Sequence, residues 1–167
     1  MKARKSAFGV AALATILVAS FGASAAEPST ISERSISLNA AMELATAALA
    51  RCRTDGYKVT VTVLNRHART SVVVSDDGVN PHTVENSMRK AYTAFTTRSP
   101  SADMAKRPPI PLQGFLQLAN ITTIEGGLPI FAGKELIGAV GISGAPGGEK
   151  DAASAQVGID KIAASLN

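Results

Sequence analysis

The stretch Val59-Thr60-Val61-Thr62-Val63-Leu64 alternates apolar and hydroxyl-bearing side chains. A period of two belongs to a β-strand, and β-branched residues favour it. The pattern predicts a half-buried strand with its valines turned inward. Asn65-Arg66-His67-Ala68 is turn-like, and Thr70 to Ser75, carrying Val72-Val73-Val74, returns as a second strand. Asp76-Asp77-Gly78 has the turn chemistry that ends this hairpin.

Around the hairpin the period changes to that of a helix. Ser37 is a good N-cap, and Leu38, Met42, Ala45, Leu49 and Cys52 recur at helical spacing until Gly56 closes the helix. A second helix is predicted from about Pro81 to Arg98, with Asn80 as cap and Pro81 at its first position. Val84, Met88, Ala91 and Phe95 form its apolar stripe, and Ser99-Pro100 stops it. Residues 99–120 are Pro-rich, with short helical patches at Ala102–Lys106 and Leu112–Leu118. Irregular segments of this length often carry function.

Further on, Ile121–Ile124 and Leu128–Phe131 are predicted as short strands around Gly126-Gly127. Ala132-Gly133-Lys134 is a hairpin turn, Leu136–Ser143 a strongly apolar strand, and Gly144 to Gly148 a loop. A last helix from Lys150 to Leu166 places Ala152, Ala155, Ile159, Ile162 and Leu166 on one face. No strand–helix–strand alternation is sustained. The order predicts an α/β protein of the α+β kind, one domain with a mostly antiparallel central sheet flanked by helices.

The formal charge of +4 suggests an acidic partner at first sight. Three of the bases, Lys2, Arg4 and Lys5, precede an apolar run from Ala7 to Phe21 and the small residues Ala23-Ser24-Ala25, with Ser24-Ala25-Ala26 as a competing cleavage site. Residues 1–26 therefore read as a secretory signal, 27–36 as a flexible leader and 37–167 as the domain. The run is shorter than the roughly 20 residues of a membrane span, so no stable membrane anchor is expected. Without the signal, fourteen bases face thirteen acids. That balance gives no nucleic-acid footprint, and the signal predicts a periplasmic or secreted protein. One cysteine, Cys52, makes no internal disulfide, and its place on an apolar stripe reads as a small buried hydrophobe. With His67 and His82 as the only histidines, a structural zinc site lacks ligands.

At about 100° per residue, His82, Asn86, Arg89, Thr93 and Thr97 gather nearly opposite the apolar stripe of the second helix. This is either a solvated face or a binding or subunit-contact face. An imidazole, a guanidinium, hydroxyls and an amide suit an anionic, metal-bearing ligand, and Thr93 and Thr97 are weak choices for mere exposure on a helix. Gly138, Gly141, Gly144, Gly147 and Gly148 precede a helix start. They read either as an anion cradle or as tight turns with close packing or subunit contact. The Gly-Lys-Ser/Thr ending of a P-loop is missing, and the glycines thread a strand rather than follow one. Neither histidine sits near a nucleophile elbow, so no catalytic residue is assigned.

Asp76-Asp77-Gly78-Val79-Asn80-Pro81-His82-Thr83 with Arg89-Lys90-Ala91-Tyr92-Thr93-Ala94 resembles the GlcG/HbpS family of haem-binding, also called haem-degrading, domains. Gly126-Gly127-Leu128-Pro129-Ile130, the stretch from Ile137 to Gly148, and Asp151 extend the resemblance over essentially everything from Leu38 onward. It implies a compact profilin-like, three-layer fold, symmetric homo-oligomers including octamers, and haem as cofactor. It also implies that the helix around Lys90–Ala94 lines the haem region, with Thr93 at the matching position. His82 becomes the candidate iron ligand, because neutral imidazole is a common one. Arg89 and Lys90 become candidate propionate partners. Where the family pattern has Asp-x-x-Gly, this chain has Asn65-Arg66-His67-Ala68, which makes His67 a competing ligand. Ser154 stands where similar members often carry Cys. The expected function is an exported haem carrier, buffer or redox- and haem-sensing accessory. The alternative is an enzyme or accessory subunit acting on a small carboxylate or hydroxy acid, bound by Arg89 and the Gly144–Gly148 loop. Degradation of haem follows from the family label only, since no residue set that supplies electrons or activates oxygen is evident.

Overall fold

The computed structural model describes residues 28–166. The expected signal segment, 1–26, lies outside the described residues. Residues 28–31 are exposed and without regular structure, and the fold proper begins at Ser32. In chain order it comprises α1 (Leu38–Thr54), β1 (Thr60–Asn65), β2 (Thr70–Ser75), α2 (His82–Thr97), a 3-10 turn (Ser101–Lys106), α3 (Pro109–Leu116), β3 (Gly127–Ala132), β4 (Glu135–Ser143) and α4 (Gly148–Ile162). The four strands form one antiparallel sheet in the order β2-β1-β4-β3. α1 and α4 pack on one face and α2 on the other, so the expected α+β, three-layer architecture is present.

The two faces of β1 account for the layers. Val59, Val61 and Val63 join the apolar core with Leu44, Ala48, Cys52, Val140, Ile142 and Ile162. The threonines between them are equally buried, but toward α2. Thr60 Oγ1 lies 2.8 Å from Thr83 Oγ1, and Thr62 Oγ1 lies 2.8 Å from Ser87 Oγ. β1 is thus buried on both faces, not half-buried. Alternation reports chemistry on each face; whether the polar face meets water or a hydroxyl-bearing helix is settled by packing.

The same interface reverses the expected amphipathicity of α2. Thr83, Ser87, Lys90, Ala91, Thr93 and Ala94 are buried, whereas Val84 is 45% exposed and Met88 and Phe95 are half-buried on the outside. Of the expected stripe, only Ala91 is in the core. The cause is a glycine in β4. A Cβ on Gly141 would fall on the Ser87 carbonyl oxygen and 2.6 Å from the Ala91 nitrogen. The helix backbone rests on the sheet, and only small side chains fit between them. Hydroxyl pairs then satisfy the polar atoms that burial removes from water.

Other expectations need smaller corrections. Ser37 Oγ caps α1 by accepting from Ala40 N at 3.2 Å, as predicted. Leu38 and Met42 are exposed, and Ala41, Leu44 and Ala48 occupy the core instead. α1 must follow the groove set by α4, which comes close enough at Gly158 that a Cβ there would lie 2.7 Å from the Leu44 carbonyl oxygen. Asn80 contributes its carbonyl rather than its side chain to the start of α2, accepting from Thr83 N at 3.1 Å and Thr83 Oγ1 at 2.7 Å. Ile121–Ile124 is not a strand, because its polar backbone groups bond to side chains. Thr122 N donates to Thr93 Oγ1 at 2.9 Å, and the Ile124 carbonyl accepts from Ser101 Oγ at 2.8 Å. The second half of the chain accordingly supplies two strands rather than three.

At the end of the first hairpin, Arg53 grips Asp76 with two bonds, Nε–Oδ2 at 3.1 Å and Nη2–Oδ1 at 3.0 Å. This guanidinium holds the Asp76 carboxyl below its ordinary range. A carboxylate with a depressed folded-state pKa stabilises above its unfolded value, about 3.9, and the gain is lost as pH falls through the folded value. Asp76→Asn should therefore lower stability at neutral pH and lose that deficit below about pH 4, flattening the acid side of the stability curve, as read by urea melts at pH 2.5 to 7. An unchanged acid slope would show that the pair is not coupled to folding.

Candidate functional site

α2 begins at His82, just beyond Pro81, and its first two turns carry the expected polar groups. His82, Glu85, Asn86 and Arg89 line a shallow hollow of about 190 Å³. His82 and Arg89 stand two turns apart, about 10 Å along the axis. Asn86 is steered by its amide, which donates from Nδ2 to Ser143 Oγ at 2.9 Å. Arg89 Nη2 reaches Glu85 Oε1 at 2.6 Å, one turn back on the exposed surface. Its Nε is buried and has no hydrogen-bond partner. An orphaned guanidinium donor is costly to leave unsatisfied, and it marks a direction in which an acceptor would be welcome. Half-buried Tyr92 borders this polar stripe, whereas Val84 and Met88 lie about 100° to 160° around α2 from His82 and Arg89.

The remaining expected site residues are placed elsewhere. Thr93 is fully buried, and its Oγ1 accepts from the Thr122 amide. Thr97 turns its hydroxyl back to the Thr93 carbonyl at 2.8 Å. Lys90, expected beside a propionate, is 1% exposed, with its Nζ 2.7 Å from Asp151 Oδ2 and 2.8 Å from the Ile142 carbonyl oxygen. It is committed to the interior because helical spacing puts position 90 on the sheet side, with Ser87 and Ala91. His67 sits in the β1–β2 turn, its amide donating to Asn65 Oδ1 at 2.9 Å. Thr83, next to His82, bonds to Thr60 at the start of β1, whereas His67 follows the end of β1. Five residues of strand, roughly 17 Å, separate the two histidines' surroundings.

A buried charge cluster escaped the sequence reading. Asp151 Oδ2 takes Lys90, and Oδ1 accepts from Ala145 N at 3.1 Å. Burial pushes its carboxyl up from the ordinary value, against the opposing pull of Lys90. The signal available in sequence was Gly126: a Cβ there would lie 2.8 Å from both Lys90 Nζ and Asp151 Cβ. Cys52 is also interior. Burial pushes its thiol up, opposed by a hydrogen bond with Ser154, so it has the character of a core residue.

The loop of the alternative reading is full. Gly144 is pressed against the Lys58 carbonyl with φ +138°, and a Cβ on Gly148 would lie 2.7 Å from Glu125 Cβ. The first turn of α4 already carries Glu149 and Asp151, which neutralise its positive end. An incoming carboxylate would meet the negative charge of Glu149 there. Among the described residues, no cluster of three or more His, Cys, Asp or Glu is arranged to hold a metal ion, and no helix is long and apolar enough to cross a membrane.

Comparison with known proteins identifies the fold and the family. A family model described as haem degrading protein HbpS-like matches residues 36–160. A double variant of HbpS from Streptomyces reticuli superposes with a TM-score of 0.74 at 30% identity, covering 81% of this chain and 93% of that one. A structure of PduOC in complex with haem gives a TM-score of 0.70 at 25% identity over 77% of this chain and 95% of that one. A 15.0 kDa protein from the dhaT-dhaS intergenic region of Citrobacter freundii is 33% identical over 114 residues, 65% of this chain and 80% of the relative. The matched region contains both the outward stripe of α2 and the buried pair beneath it, and the chain belongs to the HbpS-like family of haem-degrading proteins.

Proposed function

We propose that this protein is an exported haem-binding module that holds its ligand against the outer face of α2 and serves as a haem carrier, buffer or sensing accessory. The observation that carries this reading is the stripe itself: an exposed imidazole, a guanidinium with an unsatisfied Nε, and the half-buried ring of Tyr92 beside them. Those are the three chemistries that haem asks for. His82 would take the iron, Arg89 a propionate, and Tyr92 part of the ring. Iron-centred redox chemistry would come from the haem when bound. Lys90 has no part in direct contact, since Asp151 already consumes its charge. The relative solved with haem supports the ligand class. Export, to the periplasm or beyond, rests on reading residues 1–26 as a signal.

Hemin titrated into purified protein should give a saturable Soret shift. His82→Ala should weaken binding by about 10-fold or more, and His67→Ala should leave it unchanged. The reading is lost if stoichiometric hemin leaves the spectrum as it is in buffer, or if the two histidine variants behave alike.

A further inference from the structure

The run from Pro108 to Leu118 has no charged residue, and its only polar side chains are Gln113 and Gln117. α3 lies within it, and none of its eight residues is buried. Ile110 is 84% exposed and Leu116 47%, with Leu118 at 55% just beyond the helix. Leu112 and Phe115 are half-buried, so no side of this helix is packed into the core. The arm is nonetheless tied at its root. Ser101 Oγ donates to the Ile124 carbonyl at 2.8 Å and accepts from Gly127 N at 2.9 Å, and Thr122 N donates to Thr93 Oγ1. An apolar helix carried outward on a fixed root marks a contact with something outside the chain.

The backbone of the arm is suited to leaving water. The first four residues of a helix ordinarily present N–H groups for which the helix has no acceptor. Here they are Pro108, Pro109, Ile110 and Pro111, and the three prolines have no N–H to present. Leu112 N, the next donor, already reaches the Pro108 carbonyl at 3.0 Å. At the other end Gln117 N donates to the Gly114 carbonyl at 3.3 Å and Leu118 N to the Phe115 carbonyl at 3.0 Å. Hydrocarbon offers backbone groups no partner, so a segment that enters it must bring few orphans with it.

The base of the arm is basic. Between Asp103 and Glu125 stand Lys106 and Arg107 and no acid. Lys106 is paired with Asp103 at 2.6 Å. Arg107 has no ion-pair partner among the described residues, and its guanidinium lies 4.8 Å from the centre of the Phe115 ring. An apolar tip with a cation at its base matches one leaflet of a bilayer, hydrocarbon beneath anionic headgroups. The flat face of another protein would cover one side of α3, whereas acyl chains surround it. Eight residues reach about 12 Å, far short of a span, so the arm can only dip into the surface.

We infer that α3 is an interfacial arm by which the folded domain docks reversibly on an anionic lipid bilayer. Ile110, Leu112, Leu116 and Leu118 enter the upper acyl region, and Arg107 stays at the level of the phosphates.

The chain has no tryptophan, so Phe115→Trp places a lone reporter on the arm of the full-length chain. Vesicles of phosphatidylcholine mixed with phosphatidylglycerol should shift its emission to the blue, saturably, and bromines on the acyl chains should quench it. Ile110→Asp/Leu116→Asp in the same reporter chain should weaken the transition at least about 30-fold. Arg107→Gln should weaken it about 5-fold on the mixed vesicles and leave it unchanged on phosphatidylcholine alone. All three chains carry residues 1–26, so whatever that segment contributes to binding is common to them. Ile110 and Leu116 are exposed, and an unchanged melting temperature shows that the fold survives both substitutions. Emission that vesicles leave unmoved, or acyl-chain quenching that persists undiminished in the Ile110→Asp/Leu116→Asp chain, overturns the lipid dock. So does a blue shift that follows protein concentration without lipid, which would assign the arm to a second copy of the chain.

Discussion

Gly141→Ala should lower the melting temperature by at least about 15 °C, a loss of about 4 kcal/mol or more at roughly 4 °C per kcal/mol for a domain of this size. The added Cβ would fall on the Ser87 carbonyl oxygen and press on the Ala91 nitrogen, both backbone atoms of α2. Backbone cannot rotate aside as a side chain does, so the helix must lift from the sheet. Lifting it separates the hydroxyl pairs Thr60–Thr83 and Thr62–Ser87 and leaves buried oxygens without partners. The control is Gly114→Ala in α3, where nothing lies within 4 Å of the new methyl. It should be neutral or slightly stabilising, since alanine is the better helix former. Calorimetry on the two variants decides the matter, and amide exchange should show α2 as the element that opens. A Gly141→Ala protein melting within a few degrees of wild type would mean that the sheet absorbs the methyl and that α2 is not seated on bare backbone.

The second large effect lies directly beneath the stripe. Lys90→Met should cost about 3–5 kcal/mol, because it strands the Asp151 carboxylate at 2% exposure without its counter-charge. Lys90→Met/Asp151→Leu should recover part of that loss, since an apolar pair removes the uncompensated charge. Recovery stays short of complete: the Ile142 carbonyl and the Ala145 amide each lose a partner, at about 1–3 kcal/mol apiece. The single variant should also respond to pH in the opposite sense from an ordinary domain. Burial already raises the Asp151 carboxyl, and removing Lys90 removes the main influence opposing that rise. A carboxyl whose folded-state pKa is raised stabilises most when protonated, so the gain is full below the unfolded value and is lost as pH rises through the folded one. Lys90→Met should therefore become more stable as pH falls from 7 toward 5. Denaturant melts across that range test both claims. A double variant no better than the single one would show that geometry, and not the buried charge, makes Lys90 indispensable.

Most of the architecture was legible along the chain. The β1–β2 hairpin, the Ser37 cap, the β3–β4 turn and the last helix follow from local periodicity and turn residues, which act over a few neighbours. The polar group of His82, Asn86 and Arg89 on one side of α2 followed from helical spacing alone. The side of α2 that meets the sheet did not, because Val84, Met88 and Phe95 are the more apolar choice and lie outside. What overrode them is the distance at which the helix rests on Gly141, a contact between residues more than fifty positions apart. Lys90 failed as a ligand candidate for the same reason: its partner, Asp151, is 61 residues away.

By itself, then, the sequence determined most of the helices and strands, Ile121–Ile124 excepted, how the two faces of β1 differ in chemistry, and that His82 and Arg89 share one helix face. These follow from periods of 2 and 3.6 and need no knowledge of what packs where. The tertiary structure alone decided that β1 is buried on both faces, that Lys90 points inward while Val84 points out, and that His67 lies a strand's length from His82. Each of those depends on which distant backbone comes closest. A missing Cβ in β4 sets that approach, and no local pattern records it.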